Sequence, residues 1–185
     1  MKEVTVPVQW CKQELPYFCG PAVGQMVLAS LGQTPPPGRS WQQQLWCLIK
    51  QLTRGHRPPG VACTEPSFPN QECERVGRGW NCWATSPSAL LSLLNTQQIA
   101  KFSLRRLSDQ AQATDALTQV LDGGHPGVAL LDGWEHWAVI DGYTYDPVAS
   151  RLNVTGVYLR DSNASGPLSY MPLWSWTWGA WPFLL

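Results

Sequence analysis

The chain has 185 residues, of which 44% are hydrophobic and 14% are charged, and its formal net charge is zero. This composition predicts a single globular domain, residues 1–185, and argues against a disordered chain. Because phosphate binding needs a cationic surface, the neutral charge also argues against nucleic acid as a partner. The sequence has no run of 18 apolar residues, so no membrane-spanning helix is expected.

The first predicted elements are a short strand and a helix. The alternating stretch VTVPVQW, residues 4–10, predicts a strand. A helix is predicted from Gly20 to Leu31, where apolar residues recur at helical spacing. Pro21 suits the first helical turn, in which its missing N–H costs nothing, and Gly32 is a favourable terminator.

Three more helices are predicted before the chain becomes rich in strands. Each starts at a residue that commonly caps helices and carries apolar residues at helical spacing. They start at Ser40, which forms a capping box with Gln43, at Ser86, which precedes Pro87, and at Ser108 in SDQAQATDALTQVLDGG. The stretch AKFSLRRL, which lies between the last two of these helices, predicts a strand.

Residues 55–85 are rich in glycine, proline and cysteine and lack periodicity, so we expect an irregular insertion. Long segments of this kind usually serve a function or are held in place. The six cysteines are irregularly spaced and include no CxxC pair, which argues against a structural zinc site. Disulfides among Cys63, Cys73 and Cys82 would hold the insertion, with Cys11 or Cys47 as a free core thiol. Such disulfides would favour an exported protein over a cytoplasmic one, and the sequence leaves the compartment open.

The last third of the chain is rich in β-structure. The runs GVALLD, HWAVIDGYTY and RLNVTGVYLRD predict neighbouring antiparallel strands. The tryptophan-rich end, LWSWTWGAWPFLL, predicts a strand or loop that covers the sheet. Helices therefore come first and the sheet later, which indicates an α+β fold.

Cys19 lies at the start of the first predicted helix, where unpaired N–H groups and the helix dipole favour a thiolate. A nucleophilic cysteine also needs a base and a group that orients the base. Two other interpretations remain open for Cys19. It could be a buried packing residue, since free cysteine is among the most buried residue types, or half of a disulfide.

His136 is the candidate base, because it opens a predicted strand directly after a turn. Asp161 ends the next predicted strand, so antiparallel pairing would bring it beside the imidazole and fix the tautomer. Asp141 and Asp146 are rivals for this orienting role, and Asp161 could instead be a turn residue. Gln13 lies six residues before Cys19, and its amide could stabilise an oxyanion together with the Cys19 N–H.

The order Gln13-x5-Cys19-Gly-Pro-Ala, then HWAVIDGY from His136, then Asp161, resembles papain-like cysteine peptidases. The nearest branch is the C39-like one, which includes bacteriocin-leader peptidases, and the resemblance covers residues 4–32 and 124–163. It implies a papain-like fold, in which an N-terminal helical part packs on a C-terminal antiparallel sheet. The sequence departs from this branch at Glu135, where glycine is frequent, and at Ser162, where proline is common.

The resemblance implies a thiol peptidase that forms a Cys–His ion pair and a thioester acyl-enzyme, which water then hydrolyses, with no cofactor. The expected substrate is a peptide or protein. Two alternatives stay open: an acyltransferase or transpeptidase that uses the same site, and a catalytically silent peptide-binding module. The insertion at residues 55–85 could close over the cleft or bind a partner protein.

Overall fold

A computed structural model describes residues 1–37, 40–53, 72–76, 79–107, 109–131, 136–147, 153–167, 169–173 and 181–184. These residues form four helices and nine strands. The helices are α1 (Cys19–Ser30), α2 (Trp41–Thr53), α3 (Pro87–Thr96) and α4 (Gln110–Asp122). The strands are β1 (Lys2–Thr5), β2 (Glu72–Val76), β3 (Gly79–Trp83), β4 (Leu104–Leu107), β5 (Gly127–Leu131), β6 (His136–Asp146), β7 (Asn153–Arg160), β8 (Ser169–Pro172) and β9 (Trp181–Leu184).

Seven of the described strands form one antiparallel sheet in the order β4-β9-β5-β6-β7-β8, with β1 paired to β6. The long strand β6 organises this sheet. Strand β7 occupies one edge of β6, whereas β5 and β1 lie end to end along the other edge. The α+β class predicted from the sequence is confirmed, with the difference that the N-terminal strand β1 joins the C-terminal sheet.

Helices cover both faces of the sheet, because its central strands are apolar on both faces. Val128 and Leu130 of β5 pack in the core formed with α1, α2 and α3. The alternate residues, Ala129 and Leu131, pack in a second core with α4. The first three helices therefore form one layer, the sheet the second and α4 the third.

The four predicted helices are present, and each begins within two residues of its predicted start. The Ser86 side chain accepts from the N–H of Ala89 at the start of α3, and the Asp109 side chain caps α4. Gly124 follows α4 with φ of +79°, a conformation that favours glycine. Helix α1 is buried over most of its length, which explains why its apolar residues lie on all sides of the helix.

Three predicted elements differ from the structure. The N-terminal strand spans Lys2–Thr5 rather than residues 4–10, because Pro7 cannot donate to a ladder. The insertion expected to be irregular, residues 55–85, contains the paired strands β2 and β3, while its residues 55–71 and 77–78 lie outside the described part. The tryptophan-rich end is predicted to cover the sheet, and its residues 174–180 lie outside the described part. Its last strand, β9, does not cover the sheet. It is inserted between β4 and β5, where its backbone pairs with both.

None of the helices in the described ranges is both long and apolar enough to cross a membrane.

Replacing Gly20 with alanine tests the close packing at the start of α1. The new Cβ would lie 2.5 Å from Cβ and Oγ1 of Thr85, which is closer than van der Waals contact allows. We expect Gly20→Ala to lower the free energy of unfolding by about 1–3 kcal/mol, measured by urea denaturation.

Gly166→Ala is the matched control, since nothing lies within 4 Å of its added Cβ. This variant should change the free energy of unfolding by less than about 0.5 kcal/mol. Equal stability of the two variants would contradict the close contact between α1 and Thr85.

Candidate active site

Cys19 is the first residue of α1, buried and present as a free thiol. The residue before the helix, Phe18, makes no side-chain cap, and Pro21 has no N–H. The helix therefore begins with amides that no capping side chain satisfies. These amides and the helix dipole favour negative charge at the position of the Cys19 sulfur.

An aromatic cluster fixes the start of α1. The rings of Tyr17, Phe18 and Trp46 lie 5.3–5.5 Å apart between centroids, within the range of favourable aromatic contacts. The Lys50 ammonium lies 4.2 Å from the Trp46 ring centroid and donates to the carbonyl of Ala84 at 2.7 Å. Helix α2 thus holds both the residues that precede Cys19 and the segment that precedes α3.

His136 is the first residue of β6, and β6 packs against α1. Its Nε2 lies 2.7 Å from Oδ1 of Asp161, which leaves Nδ1 as the ring nitrogen available to Cys19. The next residue, Trp137, donates from its indole N–H to the carbonyl of Thr85 at 2.9 Å. This buried bond anchors the start of β6 beside the start of α1.

The imidazole of His136 interacts with both Cys19 and Asp161. Burial of the ring would by itself lower the pKa of His136, because it disfavours the charged form. The hydrogen bond and charge interaction with Cys19 oppose burial, as do those with Asp161. Together they raise the pKa of His136 from 6.5 to about 9. An imidazolium is therefore stable in this site at neutral pH.

Asp161 directly follows β7 and is held by three hydrogen bonds besides the one to His136. Its Oδ1 accepts from the N–H of Asn163 at 2.7 Å. Its main-chain carbonyl accepts from the Trp10 indole at 2.8 Å and from the N–H of Ala164 at 3.3 Å. Asp161 therefore forms a turn and also contacts the imidazole. Its role in orienting the base stays a prediction.

The two rivals for the orienting role, Asp141 and Asp146, lie further along β6 than His136. Asp141 is buried and forms an ion pair with Arg160 at 2.5 Å. Burial raises the pKa of Asp141, and the attraction of Arg160 opposes that rise. Asp146 lies at the opposite end of β6 from His136. Of the two histidines other than His136, His125 is exposed after α4 and His56 lies outside the described part of the chain. Glu135, the departure from the C39-like branch, also lies outside that part.

Gln13 lies in the loop before α1 and is half-buried. It packs against the turn after β7, where it contacts Ser162. Its Nε2 donates to the carbonyl of Pro16 at 2.8 Å, and its Oε1 accepts from the Ser162 hydroxyl at 3.0 Å. The main-chain N–H of Gln13 also donates to the carbonyl of Ser162 at 3.0 Å. The second N–H of the Gln13 amide has no acceptor among the residues described.

Sequence reasoning did not identify the contacts of Gln42 and Ser162. Gln42 lies on α2, is 2% exposed and bonds to the residues on either side of Gln13. One sequence signal could have found it. Gln42 precedes Leu45 and Ile49 at helical spacing, which places it on the buried face of the helix.

In the described ranges, no three His, Cys, Asp or Glu side chains form a group that could hold a metal ion.

No protein-family model and no curated protein matches the sequence. Solved structures do match it. One is a double-glycine-motif protease from an AMS/PCAT transporter in complex with the leader peptide, with TM-score 0.56, 12% identity, and coverage of 99% of this chain and 96% of that one. Another is a protein from Bacillus anthracis named as a C39-like peptidase, with TM-score 0.60, 17% identity, and coverage of 100% and 97%. This chain therefore has the C39-like peptidase fold over nearly its whole length.

Proposed function

We propose that the chain, as a single domain of residues 1–185, is a cysteine peptidase with Cys19 as nucleophile. The observation that carries this proposal is the contact between Cys19 and His136 where α1 meets β6, with Asp161 behind the imidazole. A free thiol, a base with a raised pKa and an orienting carboxylate are the groups that thiol catalysis requires. Proteins named as peptidases share the fold in which these groups meet.

The first half of the reaction forms a thioester. The Cys19 thiolate attacks the carbonyl carbon of the scissile peptide bond, and a C–S bond forms. The oxygen of the tetrahedral intermediate takes up negative charge and accepts from the Cys19 N–H and the Gln13 amide. The His136 imidazolium then protonates the leaving nitrogen as the C–N bond breaks. Asp161 keeps the ring oriented during this transfer.

The second half consumes water. Neutral His136 takes a proton from a water molecule, and the resulting hydroxide adds to the thioester carbon. The same two donors hold the second oxyanion. The C–S bond then breaks, the carboxylic acid product leaves, and the thiolate pairs again with imidazolium. These steps use only water and groups of this chain.

We infer that the substrate is a peptide segment, since one protein of the same fold was solved with a leader peptide bound.

The disulfides predicted among Cys63, Cys73 and Cys82 remain a proposal. Cys73 and Cys82 are partners in the β2–β3 register, which brings Cα atoms to about 4.5–5.5 Å, within the range of a disulfide. Of the two cysteines expected as a free core thiol, Cys11 is free, whereas Cys47 is disulfide-bonded. Cys63 lies outside the described residues. A partner protein at residues 55–85 also stays a proposal.

Hydrolysis in ¹⁸O-labelled water tests the proposed function directly. A mixture of unstructured peptides is incubated with the protein, and new termini are read by mass spectrometry. We expect cleavage with one ¹⁸O atom in each new carboxyl group, because water attacks the thioester. Cys19→Ala should abolish every new terminus.

The same experiment separates the alternatives. If the new C-termini carry an added amine instead of ¹⁸O, the protein is an acyltransferase. If wild type and Cys19→Ala give identical peptide maps, the peptidase proposal is wrong and a peptide-binding module is favoured.

Alkylation with iodoacetamide at pH 7 compares two free thiols within one molecule. Burial raises the pKa of Cys11 to about 11, and Glu14 adds to this rise whereas the hydrogen bond from Gln42 opposes it. At this pH about one Cys11 in ten thousand is a thiolate, so Cys11 should react slowly. We expect Cys19 to react at least about 100-fold faster, because His136 stabilises its thiolate.

His136→Ala is the decisive variant for this comparison, because it removes the imidazolium and leaves α1 in place. The rapid labelling of Cys19 should disappear while the labelling of Cys11 stays as in wild type. Labelling of both thiols at similar rates in the wild-type protein would count against the ion pair.

A further inference from the structure

We propose that Ser162 is a positioning residue that orients the Gln13 amide towards the oxyanion. This inference rests on the proposed function and adds a residue to which sequence analysis assigned no role. Ser162 is fully buried, and it contacts Gln13 twice, once through its hydroxyl and once through its main-chain carbonyl.

The contacts of the Gln13 amide define which of its ends is nitrogen. The carbonyl of Pro16 can only accept, so the amide nitrogen must face Pro16 and the amide oxygen must face Ser162. The Ser162 hydroxyl therefore donates to Oε1. With one N–H bound to Pro16, the rotation of the amide determines where the second N–H points.

The main chain around Gln13 is held independently of Ser162. The buried Gln42 accepts from the N–H of Glu14 at 3.0 Å and donates to the carbonyl of Lys12 at 2.8 Å. Its amide also donates to the Cys11 sulfur at 3.7 Å. Helix α2 thus fixes the backbone on both sides of Gln13. The orientation of the side-chain amide is not fixed by these bonds, and Ser162 contacts this amide directly.

One turn therefore serves two parts of the site. Asp161 contacts the imidazole of His136, and the next residue contacts the Gln13 amide. Proline at position 162 would offer no hydroxyl to Gln13, so serine supplies a contact that proline lacks. Stabilisation of an oxyanion depends on donors that already point at the developing charge. Loss of the hydroxyl should thus weaken acylation without altering the thiolate.

Two small reagents separate these effects without knowledge of the natural substrate. Acylation of Cys19 by p-nitrophenyl acetate forms an oxyanion, since the C–S bond forms before p-nitrophenolate leaves. Alkylation by iodoacetamide displaces iodide and forms no oxyanion. We expect Ser162→Ala to slow acylation by about 10-fold, as the loss of one hydrogen bond would, and to leave the alkylation rate unchanged. Ser165→Ala, an exposed serine in the same loop, should change neither rate.

A double-mutant cycle with Gln13→Ala shows whether Ser162 acts through Gln13. Gln13→Ala should slow acylation by about 100-fold. Adding Ser162→Ala to it should cause no further loss, because the amide that Ser162 orients is already absent. Additive losses would overturn the inference, as would an unchanged acylation rate in Ser162→Ala.

The cycle also distinguishes this inference from the proposed function. If Ser162→Ala slows alkylation as much as acylation, the serine supports the whole site and not the amide. If the wild-type protein forms no acyl-enzyme at Cys19, the proposed function fails first. If Gln13→Ala acylates slowly and Ser162→Ala acylates normally, the function stands and the positioning role is wrong.

Discussion

The contact between the Cys19 sulfur and the His136 imidazole is the interaction on which the site depends. The two residues lie 117 positions apart in sequence and meet where the first turn of α1 reaches the first residue of β6. Burial disfavours a charged imidazole, so the charge persists there only while the partners of His136 compensate. The aromatic cluster before α1 and the Trp137 indole bond hold the two elements in that position.

Much of the site follows from local sequence signals. Pro21 and Gly32 delimit a helix that begins within one residue of the prediction, which places Cys19 at its N-terminus. Two alternating runs separated by a turn predict neighbouring antiparallel strands, and this pairing brings Asp161 beside His136. Both inferences use patterns that lie within about 30 residues, where periodicity and turn chemistry carry the information.

Contacts between distant segments could not be predicted in this way. The pairing of β9 with β4 and β5 depends on which sheet edge is free after the other strands are placed. Gln42 bonds to main-chain groups of a segment 28–30 residues away, and main-chain groups carry no sequence signature. Ser162 was visible as a departure from proline. The contact of Ser162 with Gln13 could not be predicted from the sequence, because it depends on Gln13 packing against the same turn.

The protonation state of His136 at pH 8 tests the central interaction most directly. With ¹⁵N-labelled histidine, NMR reports the charge of each of the three rings in the chain. A histidine with the ordinary pKa near 6.5 is neutral at pH 8, whereas a ring with a pKa of about 9 is charged. We expect His136 to be imidazolium at pH 8 in the wild-type protein and to lose this charge in Cys19→Ala. A neutral His136 at pH 8 in the wild-type protein would contradict the ion pair and the mechanism built on it.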